Sequence, residues 1–372
     1  MKGAAPASAS VGAHGGPHGE SDARLAVRID CSTSVNAYGP AHGVVEAIER
    51  CITPALIERF PDPQCWAARH AVASACDVLP EQVVVGAGAA ELIQAISIAL
   101  VATGDTVLVP TLAFSEYARA ARICGGRVVV PDGSAEGAME MSPDETAHAY
   151  CQAVERERPV VAFLCSPENP LGRAWTLAQL RRVSEVCRAT GTLLVLDQAY
   201  DAFTASPIGT PALSCDDHVI HLRSLTKDHA LAGVRVAYAI ANPRIAQVVE
   251  DVRVPWAVST AAQAAIIATF HHDACEHVHR TTAFLRQTAH TLSAACTGAG
   301  LAVHATDTHY FVAAVPGRFD GAADYRRALL VRDGIKVRDC GTFGLPRHVR
   351  IAARTETESD IVLRAIQTLS HE

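Results

Sequence analysis

Short runs of apolar residues alternate along this chain with longer stretches in which apolar positions recur every three or four residues. The runs Val83-Val84-Val85, Thr106 to Val109, Arg127 to Val130, Val160 to Leu164 and Thr192 to Leu196 predict strands. Between them the spacing predicts helices from the Gly86-Ala87-Gly88 turn through Leu100, over Ser115 to Cys124, Pro143 to Glu157 and Thr176 to Thr190. Strands that are apolar on both faces and flanked by helices are what a mostly parallel sheet, covered on both sides, requires. After Pro255 a long helical pattern runs from Ala261 to about Ala295. The remainder is mixed, with strands near Tyr310 to Val315, Ile335 to Val337 and Val349 to Ala352, and helices near Ala322 to Arg332 and Glu358 to Leu369. The fold class is therefore α/β, with a large, mostly parallel domain over residues 51–260 and a smaller α+β domain over 261–372. Residues 24–50 form an N-terminal arm, and no internal repeat is visible.

At 372 residues the chain is too long for one small core and fits one large domain plus a smaller one, or a single large α/β domain, a two-part enzyme being the natural match for its size. Its net charge of -7 gives no basic field for nucleic acid. No run approaches the roughly 18 apolar residues that would suggest a membrane span. Twelve cysteines occur without a C-x-x-C pair, several on strand or helix faces where buried thiols are ordinary, so a reducing cytoplasm is expected. Residues 1–23, rich in Ala, Gly, Ser and His, lack the basic start and apolar segment of a secretory signal and read as a disordered tail. His14 and His18 in that tail make a poor metal site. His272, Cys275, Glu276 and His279 share one helix face, but four ligands on one straight helix cannot surround an ion tetrahedrally. They read as a solvated polar face, and no metal is expected.

The chemistry concentrates in Ser224-Leu225-Thr226-Lys227, followed by Gly233-Val234-Arg235. An amine attacks carbonyls only when neutral, and apolar crowding with a cation nearby favours that form, so Lys227 reads as a Schiff-base lysine. The hydroxyls of Ser224 and Thr226 and the guanidinium of Arg235 suit a dianionic phosphate. The first amides after Gly88, at Ala89 and Ala90, offer a second phosphate cradle at a helix N-terminus. The rival reading of that turn as a dinucleotide fingerprint lacks a third small residue, because Glu91 stands there. An aldehyde and a phosphate on one small molecule point to pyridoxal phosphate. Asn169, Asp197 and Lys227 each follow an apolar strand, so three segments bring polar groups to one sheet edge, where ligands of such folds collect.

With these residues placed, the chain resembles the fold-type I pyridoxal-phosphate enzymes of the aspartate aminotransferase superfamily, in the branch of histidinol-phosphate aminotransferase and threonine-phosphate decarboxylase. The resemblance runs from about Ile29 to the C-terminus. It rests on Val35-Asn36-Ala37-Tyr38-Gly39-Pro40, Arg59 to Pro63, the Gly86 turn, Pro167 to Gly172, Asp197-Gln198-Ala199-Tyr200, Ser224 to Arg235, Val337-Arg338-Asp339 and Val349-Arg350-Ile351. It implies an aspartate aminotransferase-like fold and a homodimer whose sites are completed by the neighbour's N-terminal segment. By the same resemblance Lys227 holds the cofactor aldehyde and shuttles a proton, and Asp197 pairs with the ring nitrogen. A carboxylate there is worth about 4 kcal/mol at ~4 Å and an effective dielectric near 20. Asn169 and Tyr200 are implied at the ring oxygen and Phe114 on the ring face. Gly88, Ala89, Ala90, Ser224, Thr226 and Arg235 are implied at the phosphate. Arg350 is implied at the substrate carboxylate, with Arg338 and Tyr38 near a distal group.

Taken singly, each residue has an ordinary reading, an Asp at a strand end as a helix cap and an Asn-Pro pair as a turn. Their joint order is what favours catalysis. Departures bear on substrate more than on cofactor. Phe60 stands where the family has an interface tyrosine, Gln198 where it has Glu, and Ser166 and Glu168 where it has asparagines. Ala87 and Ala89 replace polar residues, and His309 replaces a frequent Asn, which puts ordinary histidinol-phosphate specificity in question. The expected activity is an aminotransferase of the histidinol-phosphate type, exchanging an amino group between a small amino substrate, phosphorylated or otherwise anionic, and a keto acid. The alternative is a decarboxylase of an amino-acid phosphate, to which Leu222 to Lys227, Val254-Pro255-Trp256 and Arg354 are similar. A cofactor-binding regulatory protein is disfavoured by the presence of Lys227, Asp197 and Asn169 together.

Overall fold

The computed structural model describes residues 26–209 and 217–371, so the expected tail at 1–23 lies outside the described residues. Seven strands form the main sheet, in the order Val83–Gly86, Ala237–Ile240, Val219–Ser224, Leu193–Asp197, Val161–Cys165, Thr106–Leu108 and Arg127–Val129. All neighbours are parallel except Ala237–Ile240, which runs against both of its partners. Strand Val161–Cys165 is buried at every position, and Leu193–Asp197 at all but its first. One face packs on helices Ala89–Leu100, Ser115–Ile123 and Pro243–Asp251 through Leu92, Ile93, Ile96, Tyr117, Ala121 and Val249. The other meets helices Pro143–Glu157 and Leu177–Thr190 through Tyr150, Val154, Leu180 and Val183. Sequence chemistry sets the helix ends: Ser142 and Thr176 each close a capping box, with Glu145 and Gln179 as the third helical residues.

A second, antiparallel sheet orders Arg338–Asp339, His348–Ala352 and Tyr310–Ala314. It packs on helices Ala322–Asp333 and Glu356–His371 around Phe311, Tyr325, Leu329, Ile351 and Val362. Ile29–Asp30 pairs in parallel with Ile335–Lys336, so the start of the arm joins this C-terminal layer.

Two expectations are corrected. The single helix expected from Ala261 to about Ala295 is two, Thr260–Thr269 and His272–Gly298. The first ends in tight turns, Phe270 N–H to the Ile267 carbonyl and His271 N–H to Ala268, and His271 is extended at φ -70, ψ 149. Apolar spacing runs through the break because Phe270 packs into the same core as Ile266, which hides the break from a periodicity reading. The strand expected at Ile335 to Val337 is divided: Ile335–Lys336 pairs with the arm, and the next pairing, Arg338–Asp339, belongs to the antiparallel sheet.

The turn from Ser166 to Gly172, which carries Asn169, closes on Gly172 at φ +76, a conformation that favours glycine. A Cβ there would lie 2.7 Å from the Thr308 Oγ1 and 3.1 Å from the Tyr310 carbonyl. Gly172→Ala is expected to cost roughly 1–3 kcal/mol from this strain and crowding. Urea unfolding measures it, and an unchanged midpoint would contradict the tight approach.

Candidate active site

The carboxyl ends of the parallel strands face one cavity of about 270 Å³, and each strand delivers its side chain just past its end. Asp197 ends Leu193–Asp197, Asn169 lies four residues past Val161–Cys165, and Lys227 three past Val219–Ser224. Phe114 precedes helix Ser115–Ile123, and Ala89 and Ala90 open helix Ala89–Leu100. Asn169, Asp197, Tyr200, Ser224, Thr226, Lys227, Arg235, Arg338, Arg350, Phe114, Ala89 and Ala90 all line this one cavity. Gly88 sits immediately behind the cradle: a Cβ there would come within 2.5 Å of the Arg235 guanidinium. Tyr38 is placed elsewhere, in a groove with Phe284 and Leu363. In this one chain it does not reach the cavity wall.

Electrostatics around the amine are lopsided. Burial, then the guanidinium groups of Arg350 and Arg235, lower the Lys227 pKa from 10.5 to about 8, while Asp197 works in the opposite direction. Asp197 is itself buried, which raises its pKa above the ordinary carboxylate value. Against that stand two donors: the Tyr117 hydroxyl to Oδ2 at 2.6 Å and the Ala199 N–H to Oδ1 at 3.0 Å. Tyr117 is held flat against Phe163 at 4.9 Å and meets the edge of Phe114 at 5.9 Å. Its role was not legible as a motif, although its position three residues after Phe114 places both on one helix face.

The remaining walls come from the arm and the second sheet. Arg338 and Arg350 are register partners on adjacent antiparallel strands, which brings both guanidinium groups to one side. Arg350 donates to Asn169 Oδ1 at 2.5 Å and to the Ser32 carbonyl at 2.8 Å, both neutral acceptors, and its Nε is buried without a partner. Arg338 donates to the Thr342 hydroxyl at 3.1 Å. Ser32, Thr33, Ser34, Cys165 and Phe343 also line the cavity and went unnoticed in the sequence. Tyr200 is buried edge-on against Tyr310 at 5.0 Å, and burial raises its phenol above the ordinary value.

The substituted positions fall into two groups. His309 stacks on Phe203 at 3.6 Å behind Tyr200, and burial holds it well below the usual imidazole range, hence neutral. Gln198 meets His221 Nδ1 at 3.1 Å, and Glu168 accepts from Arg173 and the Trp175 indole, so both point into the protein's own framework. Phe60 is 80% exposed, leans on Trp256 at 5.0 Å and does not line its own chain's cavity. His272, Cys275, Glu276 and His279 lie on the long helix His272–Gly298, and among the described residues no three His, Cys, Asp or Glu side chains gather as metal ligands.

A phosphate-bearing aldehyde fits this donor set. The Ser224 and Thr226 hydroxyls are 2.8 Å apart and buried, and helix Ala89–Leu100 starts without a side-chain cap on its first amides. Arg235 is pressed against the Gly88 turn beside them. A buried carboxylate stands opposite for a cationic ring nitrogen. The family model described as aminotransferase class I and II matches residues 27–366. The chain belongs to that family. It is 32% identical to the histidinol-phosphate aminotransferase of Halobacterium salinarum, over 92% of this chain and 90% of that one. It is 30% identical to the aromatic amino acid aminotransferase of Corynebacterium efficiens, over 91% and 93%. The fold matches histidinol-phosphate aminotransferase from Sinorhizobium meliloti, solved with pyridoxal-5'-phosphate, at a TM-score of 0.80 and 23% identity, covering 93% of this chain and 92% of that one.

Two outcomes follow from these charges. Condensation of Lys227 with an added pyridoxal aldehyde, followed by absorbance, should accelerate as pH rises through about 8 rather than near 10.5. Arg350→Ala removes a repelling cation and should move that midpoint upward; an unmoved midpoint would rule out the electrostatic account. Tyr117→Phe removes a donor that lowers the Asp197 pKa, so the carboxylate protonates at higher pH. The acid limb of the kcat profile should shift upward and the plateau fall about tenfold.

Proposed function

We propose that this chain is a pyridoxal-phosphate-dependent aminotransferase of the histidinol-phosphate aminotransferase type, moving an amino group between a small anionic amino substrate and a keto acid. The observation that carries the reading is the Lys227 amine, poised to lose its proton near pH 8, in one cavity with the buried Asp197 carboxylate and the Ser224, Thr226 and Arg235 cradle. When bound, the cofactor supplies an aldehyde and an electron-withdrawing ring. Lys227 Nζ would hold that aldehyde and would carry a proton at the same nitrogen. Asp197 would favour a cationic ring nitrogen, with Tyr117 holding the carboxylate in place. Asn169 and Tyr200 would hold the ring oxygen, Phe114 would pack on the ring, and the amides of Ala89 and Ala90 would join the phosphate cradle. Arg350, already bonded to Asn169, binds the substrate's anionic group, and Arg338 beside it adds a second positive charge.

The division into an arm at 24–50, a cofactor domain at 51–260 and a smaller domain at 261–372 belongs to the same proposal. It is supported by the separate cores of the two larger sheets. Ile57, Phe60, Val254 and Trp256 are each at least 49% exposed. Large exposed apolar groups in such number mark an association surface, and a homodimer is the partner this reading requires. The described cysteines are all free thiols, in keeping with a reducing cytoplasm. No helix among the described residues is long and apolar enough to cross a membrane.

Borohydride reduction after cofactor addition should fix the cofactor to Lys227, and Lys227→Ala should abolish that labelling. Labelling that survives the substitution would end the assignment. Incubation with histidinol phosphate, aromatic amino acids and amino-acid phosphates should convert the cofactor to its pyridoxamine form. Carbon dioxide released without that form would instead establish the decarboxylase. Sizing by light scattering should give twice the chain mass.

A further inference from the structure

We propose that Asn36 is a positioning residue for Lys227, tying the peptide that carries the amine to the long helix His272–Gly298. The inference rests on Lys227 being the cofactor-binding amine. Lys227 lies in a turn just beyond strand Val219–Ser224, where no sheet ladder fixes its backbone. Bonds within the turn are few: Ala230 N–H to the Lys227 carbonyl is 3.4 Å, Thr226 N–H to Ser224 Oγ is 3.4 Å, and the short one, His229 N–H to Asp228 Oδ1 at 2.9 Å, leaves the Lys227 and Asp228 carbonyls free for other donors. Short bonds to those carbonyls come from the arm. Asn36 N–H donates to the Lys227 carbonyl at 2.8 Å, and Asn36 Nδ2 donates to the Asp228 carbonyl at 2.9 Å.

The second proton of Nδ2 goes to Thr281 Oγ1 at 2.8 Å, while Oδ1 accepts from the Tyr38 N–H at 3.0 Å. Thr281 is oriented in turn, because its hydroxyl donates to the His277 carbonyl at 2.7 Å and leaves its lone pairs for Asn36. Asn36 and Thr281 are both buried, so neither bond is exchanged freely for one to water. Only an amide serves here. Aspartate would direct an acceptor at the Asp228 carbonyl, and alanine would leave that carbonyl buried with one partner fewer. A lysine side chain has many rotamers, and fixing its Cα is what limits the volume its nitrogen can search.

The test uses Asn36→Ala, Thr281→Val and Thr281→Ser in the full chain, with three readouts. The first is amide hydrogen exchange of residues 225–231 without added cofactor. The second is kcat against KM for the amino substrate, and the third is borohydride labelling mapped to Lys227. Asn36→Ala is expected to speed exchange in that segment about tenfold and lower kcat about tenfold, with KM changed less than about threefold. Thr281→Val should give a smaller change in the same direction, and Thr281→Ser, which keeps the acceptor, should restore wild-type behaviour. Should Asn36→Ala not fold, the Thr281 pair decides. Wild-type exchange and kcat in Thr281→Val, or equal defects in Thr281→Val and Thr281→Ser, would overturn the proposal while labelling at Lys227 persists. Absence of that label in the wild type would overturn the underlying assignment, and this inference with it.

Discussion

The burial of the Lys227 ammonium, reinforced by the guanidinium groups of Arg350 and Arg235, is the constraint on which the site depends. A lysine at its ordinary pKa is almost wholly protonated at neutral pH and inert toward an aldehyde. Burial is the larger part of what lowers the lysine, but burial also raises Asp197, which the proposed chemistry uses as an anion. The structure separates the two demands. Arg350 and Arg235 press on the lysine, while Tyr117 and the Ala199 N–H hold the carboxylate as an acceptor. Two groups of opposite charge thus occupy one cavity with both pKa values perturbed, the amine downward and the carboxylate upward, and such perturbed groups cluster at functional sites.

That arrangement requires the parallel sheet. Strands running in one direction deliver their carboxyl ends to a single edge, so residues far apart in sequence become neighbours without any long-range side-chain code. This is why so much of the site was legible beforehand. Asp197, Asn169 and Lys227 could be placed because each follows an apolar run, and the phosphate cradle because a glycine turn followed by a helix exposes amides. Arg338 and Arg350 are expected from the family resemblance alone. Their pairing depends on the antiparallel register of two short strands, and periodicity cannot set a register between segments only a few residues long.

What stayed illegible has a common physical cause. Tyr117 acts through a hydrogen bond across the sheet to a residue 80 positions away, and nothing local distinguishes it from an ordinary core tyrosine. The break at Phe270 and His271 was hidden because Phe270 continues the apolar stripe into the same core. In sequence the arm is marked by the family resemblance, which implies a role there for Tyr38. Its irregular backbone buries polar residues, Ser32, Ser34 and Asn36, which in sequence look like a solvated loop. Asn36 finds its side-chain partners at Asp228 and Thr281, far away in sequence.

The arm's partners give it a mechanical reading that neither sheet supplies alone. Cys31 N–H donates to the Lys336 carbonyl at 2.7 Å and the Cys31 carbonyl accepts from Ala352 N–H at 3.0 Å, which fastens this stretch to the strand two residues before Arg338 and to the strand carrying Arg350. One residue later Ser32 receives Arg350 directly, and four residues beyond that Asn36 receives the Lys227 turn. The stretch whose Ser32 carbonyl accepts from Arg350 thus also donates, through Asn36, to the Lys227 turn, so the second sheet and the lysine turn share one segment of the arm.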